Sequence, residues 1–190
     1  MGTRNLTKVI KDGNVVVAQY GQWDGYPSGQ GTTAFYAIQK PGQMEALEAN
    51  IGLLTYPSDE ERMELSKPFL DGSMPGMMTF DSGKAFSEKY PSLTRDTGAD
   101  ILNVIAEATA PVPLYLDIEF ENDDLFCEGV YEVNLDNKTY TSKYDGWTVT
   151  MTFDEIRSGT IRDYLEQFGY SEEHLNDLVD SINWHNSQVA

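Results

Sequence analysis

Arg4, Lys8 and Lys11 are the only charged side chains before Asp12, in a chain of 190 residues whose formal net charge is -18. A positive opening on an acidic body can meet phosphate through charge-assisted hydrogen bonds. The plainer alternative is that the three cations balance neighbouring carboxylates. A second chemical group follows closely, in the stretch QYGQWDGYPSGQG from Gln19 to Gly31. Trp23 and Tyr26 offer flat faces that stack on a base or an arginine. Gln19, Gln22 and Gln30 offer neutral donor and acceptor pairs. Gly21, Gly25, Gly29 and Gly31 let another chain approach closely. Such a loop suits recognition, although it can also fold back on its own core as a compact lid.

These groups must be positioned by whatever LTKVIKDGNVVVAQYG forms, and that text reads as a hairpin. Asp12-Gly13 is the dipeptide preferred by a two-residue type I′ turn. A strict two-residue turn pairs Ile10 with Val15, Thr7 with Ala18, Asn5 with Tyr20 and Thr3 with Gln22. Side chains alternate faces along a strand, so Thr3, Asn5, Tyr20 and Gln22 are expected on one side. Arg4 falls on the other, with Trp23 and Asp24 just beyond the strand end. Val15 to Ala18 is apolar on both faces and is expected to be an interior strand.

Further chemistry is sparse. Gly29-Gln30-Gly31 lacks the Lys-Ser/Thr ending of a phosphate-binding loop. His174 and His185 fall in one expected helix, eleven residues apart, which is not zinc-ligand spacing. Asp117, Glu119, Glu121, Asp123 and Asp124 could gather around a divalent ion if alternate carboxylates shared a strand face. The favoured reading is a solvated sheet face, with no metal and no cofactor. The single cysteine, Cys127, forbids an internal disulfide and fits a reducing compartment.

The remaining elements place these motifs in an α+β fold. Short helices are expected over 32–39, within PGQMEALEANIGLL, after Ser58, over 82–90 and over 98–109, with a loop at 67–79. Leu114, Leu116, Ile118 and Phe120 alternate with polar residues, the period of a strand. Hairpin strands at 130–135 and 139–144 and a strand at 147–153 complete an antiparallel sheet with a C-terminal meander. The tail returns to helix, with Leu175, Leu178, Val179 and Ile182 as its apolar stripe. Hydrophobic content of 40% supports one domain spanning 1–190. No apolar run is long enough for a membrane span and no signal-peptide pattern opens the chain, so a cytoplasmic location is expected. The acidic surface repels free DNA and anionic membranes and favours basic partners or metal ions.

The opening MGTRNLTKVI and VAQYGQWDGYPSGQG resemble a family of small proteins from phages, mobile elements and assorted microbes. One branch of it is the type II anti-CRISPR family that induces guide-RNA truncation. The resemblance is confined to residues 1–31. It implies an inhibitor acting through an N-terminal hairpin, with an RNA-guided CRISPR effector nuclease and its guide RNA as partners. Under it, Arg4, Lys8 and Lys11 touch the RNA backbone and the acidic body docks on the nuclease's basic surface. RNA can be cut by its own 2′-hydroxyl, given a base, an acid and a cation. Thr3, Arg4, Tyr20 and Asp24 are the residues able to serve, Arg4 for charge stabilisation and Asp24 as base or orienting group. Two rivals stand beside this reading. One is an amino-terminal-nucleophile hydrolase, for which Gly2 lacks the side chain and Thr3 needs a further cut. The other is a non-catalytic module gripping a protein or small ligand through the Gly/Tyr/Trp loop.

Overall fold

The computed structural model describes residues 2–72 and 76–189. Its first two elements, β1 (Asn5–Lys11) and β2 (Asn14–Gly21), form the hairpin expected from Asp12-Gly13. Asp12 and Gly13 both have positive φ, 52° and 71°, as a type I′ turn requires. Next to the turn the register is the two-residue one, with Lys11 opposite Asn14 and Ile10 opposite Val15. A β-bulge then leaves Val16 unpaired, so that Val9 faces Val17, Lys8 faces Ala18, Thr7 faces Gln19, Leu6 faces Tyr20 and Asn5 faces Gly21. One extra residue turns every later side chain of β2 to the other face. The expected gathering of Thr3, Asn5, Tyr20 and Gln22 is therefore lost: Tyr20 lies on the Leu6 face, and Asn5 and Thr7 lie on the opposite one.

Gly31 leads into α1 (Thr32–Gln39), followed by α2 (Gln43–Asn50), a two-residue strand β3 (Leu54–Thr55) and α3 (Asp59–Ser66). Next come α4 (Phe80–Lys89), α5 (Ile101–Ala106) and β4 (Val112–Pro113), which pairs in parallel with β3. Of the loop expected over 67–79, Lys67–Phe69 is a 3-10 turn, and residues 73–75 lie outside the described set. The C-terminal half supplies β5 (Gly129–Asn134), β6 (Thr139–Tyr144) and β7 (Trp147–Thr152). It closes with α6 (Phe153–Ser158), α7 (Ile161–Leu165) and α8 (Glu172–Val189). Reciprocal capping boxes at Ser58, Thr79, Thr152 and Thr160 fix the starts of α3, α4, α6 and α7.

The five-stranded sheet runs β2-β1-β5-β6-β7. β1 and β5 are parallel, so the sheet is mixed where an antiparallel one was expected; the meander β5-β6-β7 is antiparallel as read. The interior strand at this end is β1, buried from Asn5 to Val9, and not the valine-rich β2 at the edge. That edge is protected by its surroundings. Tyr56 Oη donates to Val16 O at 3.0 Å, Asp117 N donates to Ala18 O at 3.1 Å and Gln22 N donates to Arg95 O at 2.8 Å.

Each face of the sheet has its own cover. Val9, Val17, Tyr131, Val133, Tyr140, Val149 and Met151 join Phe35 and Ile38 of α1, Leu47 of α2, Ile101 and Ile105 of α5, and Tyr164 of α7 in the main core. On the other face Leu6, Ala18 and Val130 pack against Val15, Leu116, Phe120 and Cys127. The alternating segment after Leu114 is thus no strand. Residues 114–117 belong to no strand or helix, and Ile118–Asn122 forms a 3-10 turn. The chain's bonds turn inward there, Phe120 N donating to Asp117 O and Asp123 N to Phe120 O. Alternate carboxylates of that run consequently share no face.

What the turn achieves is to bring Glu121 over β1. Lys8 Nζ lies 2.6 Å from Glu121 and 2.9 Å from Glu132, while Lys143 reaches the other Glu121 oxygen at 3.0 Å. The Lys8 side chain is 8% exposed. Burial pulls its pKa down, but the two glutamates outweigh this and raise it above the ordinary lysine value. Glu121 is likewise pushed up by burial and pulled further down by Lys8 and Lys143, ending below the ordinary carboxylate value of 4.5. Its contribution to stability is complete above that value and is lost as pH falls through the lower folded pKa. Removing one member of a buried cluster leaves charge uncompensated, so Lys8→Ala should cost about 2–4 kcal/mol in urea unfolding at pH 7. The same substitution should make the acid limb of the stability curve shallower. A loss below 0.5 kcal/mol would show that the cluster behaves as an ordinary surface pair.

Candidate functional site

The hairpin's cations face the protein itself. Lys8 is consumed by Glu121 and Glu132, and Lys11 by Glu48 at 2.6 Å with Asp12 and Asp136 at 3.8 Å. The Arg4 guanidinium sits 4.4 Å from the centre of the Phe126 ring, and Arg4 N donates to Glu128 Oε2 at 2.9 Å. The acidic run, read from sequence as a row apart, is what neutralises or covers the positive strand. Thr3 is buried, its carbonyl accepting from Gly25 N at 3.0 Å. The Tyr20 ring packs edge-on against Phe120, and its Oη donates to Gln22 Oε1 at 2.7 Å. Thr3, Arg4, Tyr20 and Asp24 therefore do not form one constellation.

The glycine-rich stretch is built into the sheet and α1. Gln19 to Gly21 end β2, and Pro27–Gly31 is a π-helical turn running into α1. Its amides are spent internally. Gln19 Nε2 donates to Thr94 O at 3.0 Å, and Gln30 Oε1 accepts from Ala99 N at 2.6 Å while its Nε2 reaches Trp23 O at 3.3 Å. Asn5 Nδ2 holds Gly21 O and Trp23 O, both at 3.2 Å. Asn5 Oδ1 and Thr7 Oγ1 are buried with no hydrogen-bond partner among the described residues. Tyr131 Oη donates to Gly25 O at 2.7 Å, and Tyr140 Oη to Gly31 O at 2.9 Å. A Cβ on Gly31 would strike Tyr164 Oη and the Tyr131 ring, and one on Gly29 would strike the Asp24 carbonyl. Close packing is thus the reason for these glycines. Burial pushes the phenols of Tyr131 and Tyr164 well above their ordinary value, which removes them from acid–base chemistry at neutral pH.

What the stretch leaves outside is Trp23, Asp24 and Tyr26. Trp23 is tied by Nε1 to Asp96 Oδ1 at 2.8 Å. Asp24 and Tyr26 instead border a cleft of about 390 Å³, walled by Ser28, by Thr33 and Tyr36 of α1, and by His185 of α8. Asp24 has φ 54°. The other non-glycine residues with positive φ, namely Asp12, Lys138 and Asp145, all lie in hairpin turns. No hydrogen bond or ion pair engages the Asp24 carboxylate among the described residues. His185 Nδ1 lies 3.0 Å from Ser181 O, so this nitrogen carries the proton in that hydrogen bond. Burial raises the Tyr36 pKa, with a hydrogen bond to Asn186 opposing it.

Thr33 Oγ1 donates to Gly29 O at 3.3 Å, and among the described residues no serine, threonine or cysteine side chain is hydrogen-bonded to a histidine ring. Cys127 offers no nucleophile at neutral pH. Burial, with Glu121, Asp123 and Asp117 adding to it, pushes its thiol to about 12. No three His, Cys, Asp or Glu side chains among the described residues gather as metal ligands would. Of the candidate site residues read from sequence, Asp24, Tyr26 and Gln30 line this cleft; Thr33, Tyr36 and His185, also in its walls, are not among them. Their arrival depends on α8 lying beside α1, a contact that no local pattern encodes. In comparisons with known proteins the chain matches no family model, no curated protein and no solved structure.

Left-handed backbone suits glycine, and aspartate tolerates it at some cost. Asp24→Gly should therefore leave the unfolding free energy unchanged or raise it by up to about 1 kcal/mol. A loss larger than that in thermal or urea denaturation would assign the carboxylate a structural role.

Proposed function

We propose that this protein is a non-catalytic acidic module that occupies the cationic surface of a nucleic-acid-handling protein. An RNA-guided CRISPR effector nuclease, the partner implied by the resemblance of residues 1–31, is the target that fits this reading. Inhibition then comes from covering the basic channel that holds guide and target, and the guide RNA stays whole. The observation that carries this reading is the distribution of charge. Thirty-one acidic side chains face thirteen basic ones, and nine of the basic ones are already in ion pairs: Lys8, Lys11, Lys40, Arg62, Lys67, Lys84, Lys143, Arg157 and Arg162. Intramolecular pairing of the cations leaves an anionic exterior for a partner to read.

The segment over β1 gives that exterior a point of contact. Between Asp117 and Glu128 lie six carboxylates, and among them Leu125 is 77% exposed and Phe126 is 40% exposed. A large apolar side chain ringed by one sign of charge suits docking on a basic surface with an apolar centre. An enzyme working through Thr3 or through the hairpin cations is disfavoured, because those groups are buried or paired.

Mixing the protein with a guide-loaded type II effector nuclease should block target-DNA binding. The block should weaken steeply as salt rises from about 50 to 200 mM. On a denaturing gel the guide should run at full length. Leu125→Ala combined with Asp123→Asn and Asp124→Asn should weaken the block at least tenfold with unchanged unfolding. A shortened guide, or a block indifferent to salt and to these substitutions, overturns the reading.

A further inference from the structure

We infer that the cleft between Asp24 and α8 is a receptor for an arginine side chain of the basic partner. The inference rests on the acidic-module reading for its source of arginine, but the cleft's own chemistry selects the group. Asp24 is the only acidic residue among its walls, and no lysine or arginine lines it. The Asp24 carboxylate is unengaged, and a carboxylate is the natural counterpart of a guanidinium, which is always charged and donates in a planar fork.

The remaining walls are acceptors and rings. Tyr26 is 45% exposed and Tyr36 is partly buried, so two aromatic side chains border the same volume. A guanidinium stacks on such rings more readily than a hydrated ammonium does. Its five N–H groups need acceptors and can offer none in return. Ser28 and His185 line the cleft beside Asp24 and complete its polar wall. A phosphate or carboxylate ligand would find no lysine or arginine among the walls and would face Asp24.

Backbone strain points the same way. Among the described non-glycine residues Asp24 alone holds a left-handed conformation outside a hairpin turn; its carbonyl accepts from Gln30 N at 2.8 Å, while its carboxylate makes no hydrogen bond or ion pair. A strained position whose side chain has no partner in the fold suits a ligand. A Cβ on Gly129, just after Glu128, would collide with Gly25 O, so the backbone leading into Tyr26 passes beside the end of the acidic segment.

N-acetyl-L-argininamide titrated into the isotope-labelled protein is the direct test, with the citrulline analogue as its uncharged isostere. Arginine should shift the signals of Asp24, Tyr26, Tyr36 and His185 at millimolar concentration, and citrulline should not. Asp24→Asn keeps a residue that tolerates positive φ and removes the charge; it should weaken arginine binding about tenfold. Tyr26→Ala should weaken it comparably. Shifts confined to residues 117–128, equal shifts with citrulline, or unaltered affinity in Asp24→Asn would each overturn the inference. If the nuclease is still blocked equally by Asp24→Asn, the cleft assignment fails and the acidic-module reading stands. If argininamide fills the cleft but no nuclease is blocked, the reverse holds.

Discussion

A lysine on an interior strand of a sheet must find carboxylates or be expelled, and the arrangement of this protein follows from how Lys8 finds them. Glu132 is supplied by the parallel neighbour β5, which faces Lys8 in register. Glu121 is supplied from above, by the segment that crosses over β1. The apolar side chains of that segment, Leu116 and Phe120, then close over Leu6, Ala18 and Val130. Charge sets the location of this second layer and hydrophobic burial holds it there. Arg4 on Phe126 and Lys11 on Glu48 repeat the theme at the two ends of β1.

The sequence was legible wherever local rules decide the outcome. Asp12-Gly13 announced its turn, Ser58 its helix, and Asp136-Asn137 sat between two strands that do pair. It was illegible wherever a distant partner decides. Val16 looks like any other valine of β2, yet it is the bulged residue, and one unpaired position was enough to scatter the expected cluster. The period-two pattern after Leu114 lacked only strand neighbours, and without them the chain turned. Alternation reports which residues want burial; it does not report whether a ladder is available.

The same distinction governs the candidate site. Glycines, glutamines and aromatics in one stretch were rightly read as unusual, but most of that composition serves interior packing: Gln30 on Ala99, Gly31 beneath Tyr140 and Gly25 beneath Tyr131. The residues left for an outside partner are those with no inside one. The Asp24 carboxylate meets that description; Tyr26, half exposed with its ring against Tyr144, borders the same cleft, and Thr33, Tyr36 and His185 join them only because α1 and α8, far apart in the chain, both line it.

The parallel pairing of β1 with β5 has a consequence for how such a molecule is made. Residues 5–10 bond to residues 129–134, so the middle of the sheet waits until more than a hundred further residues have left the ribosome. Until then the hairpin would carry a bare edge and an unneutralised Lys8, and that positive charge discourages two nascent copies from zipping together. The ion that needs a cluster in the finished fold thus serves as a gatekeeper during synthesis.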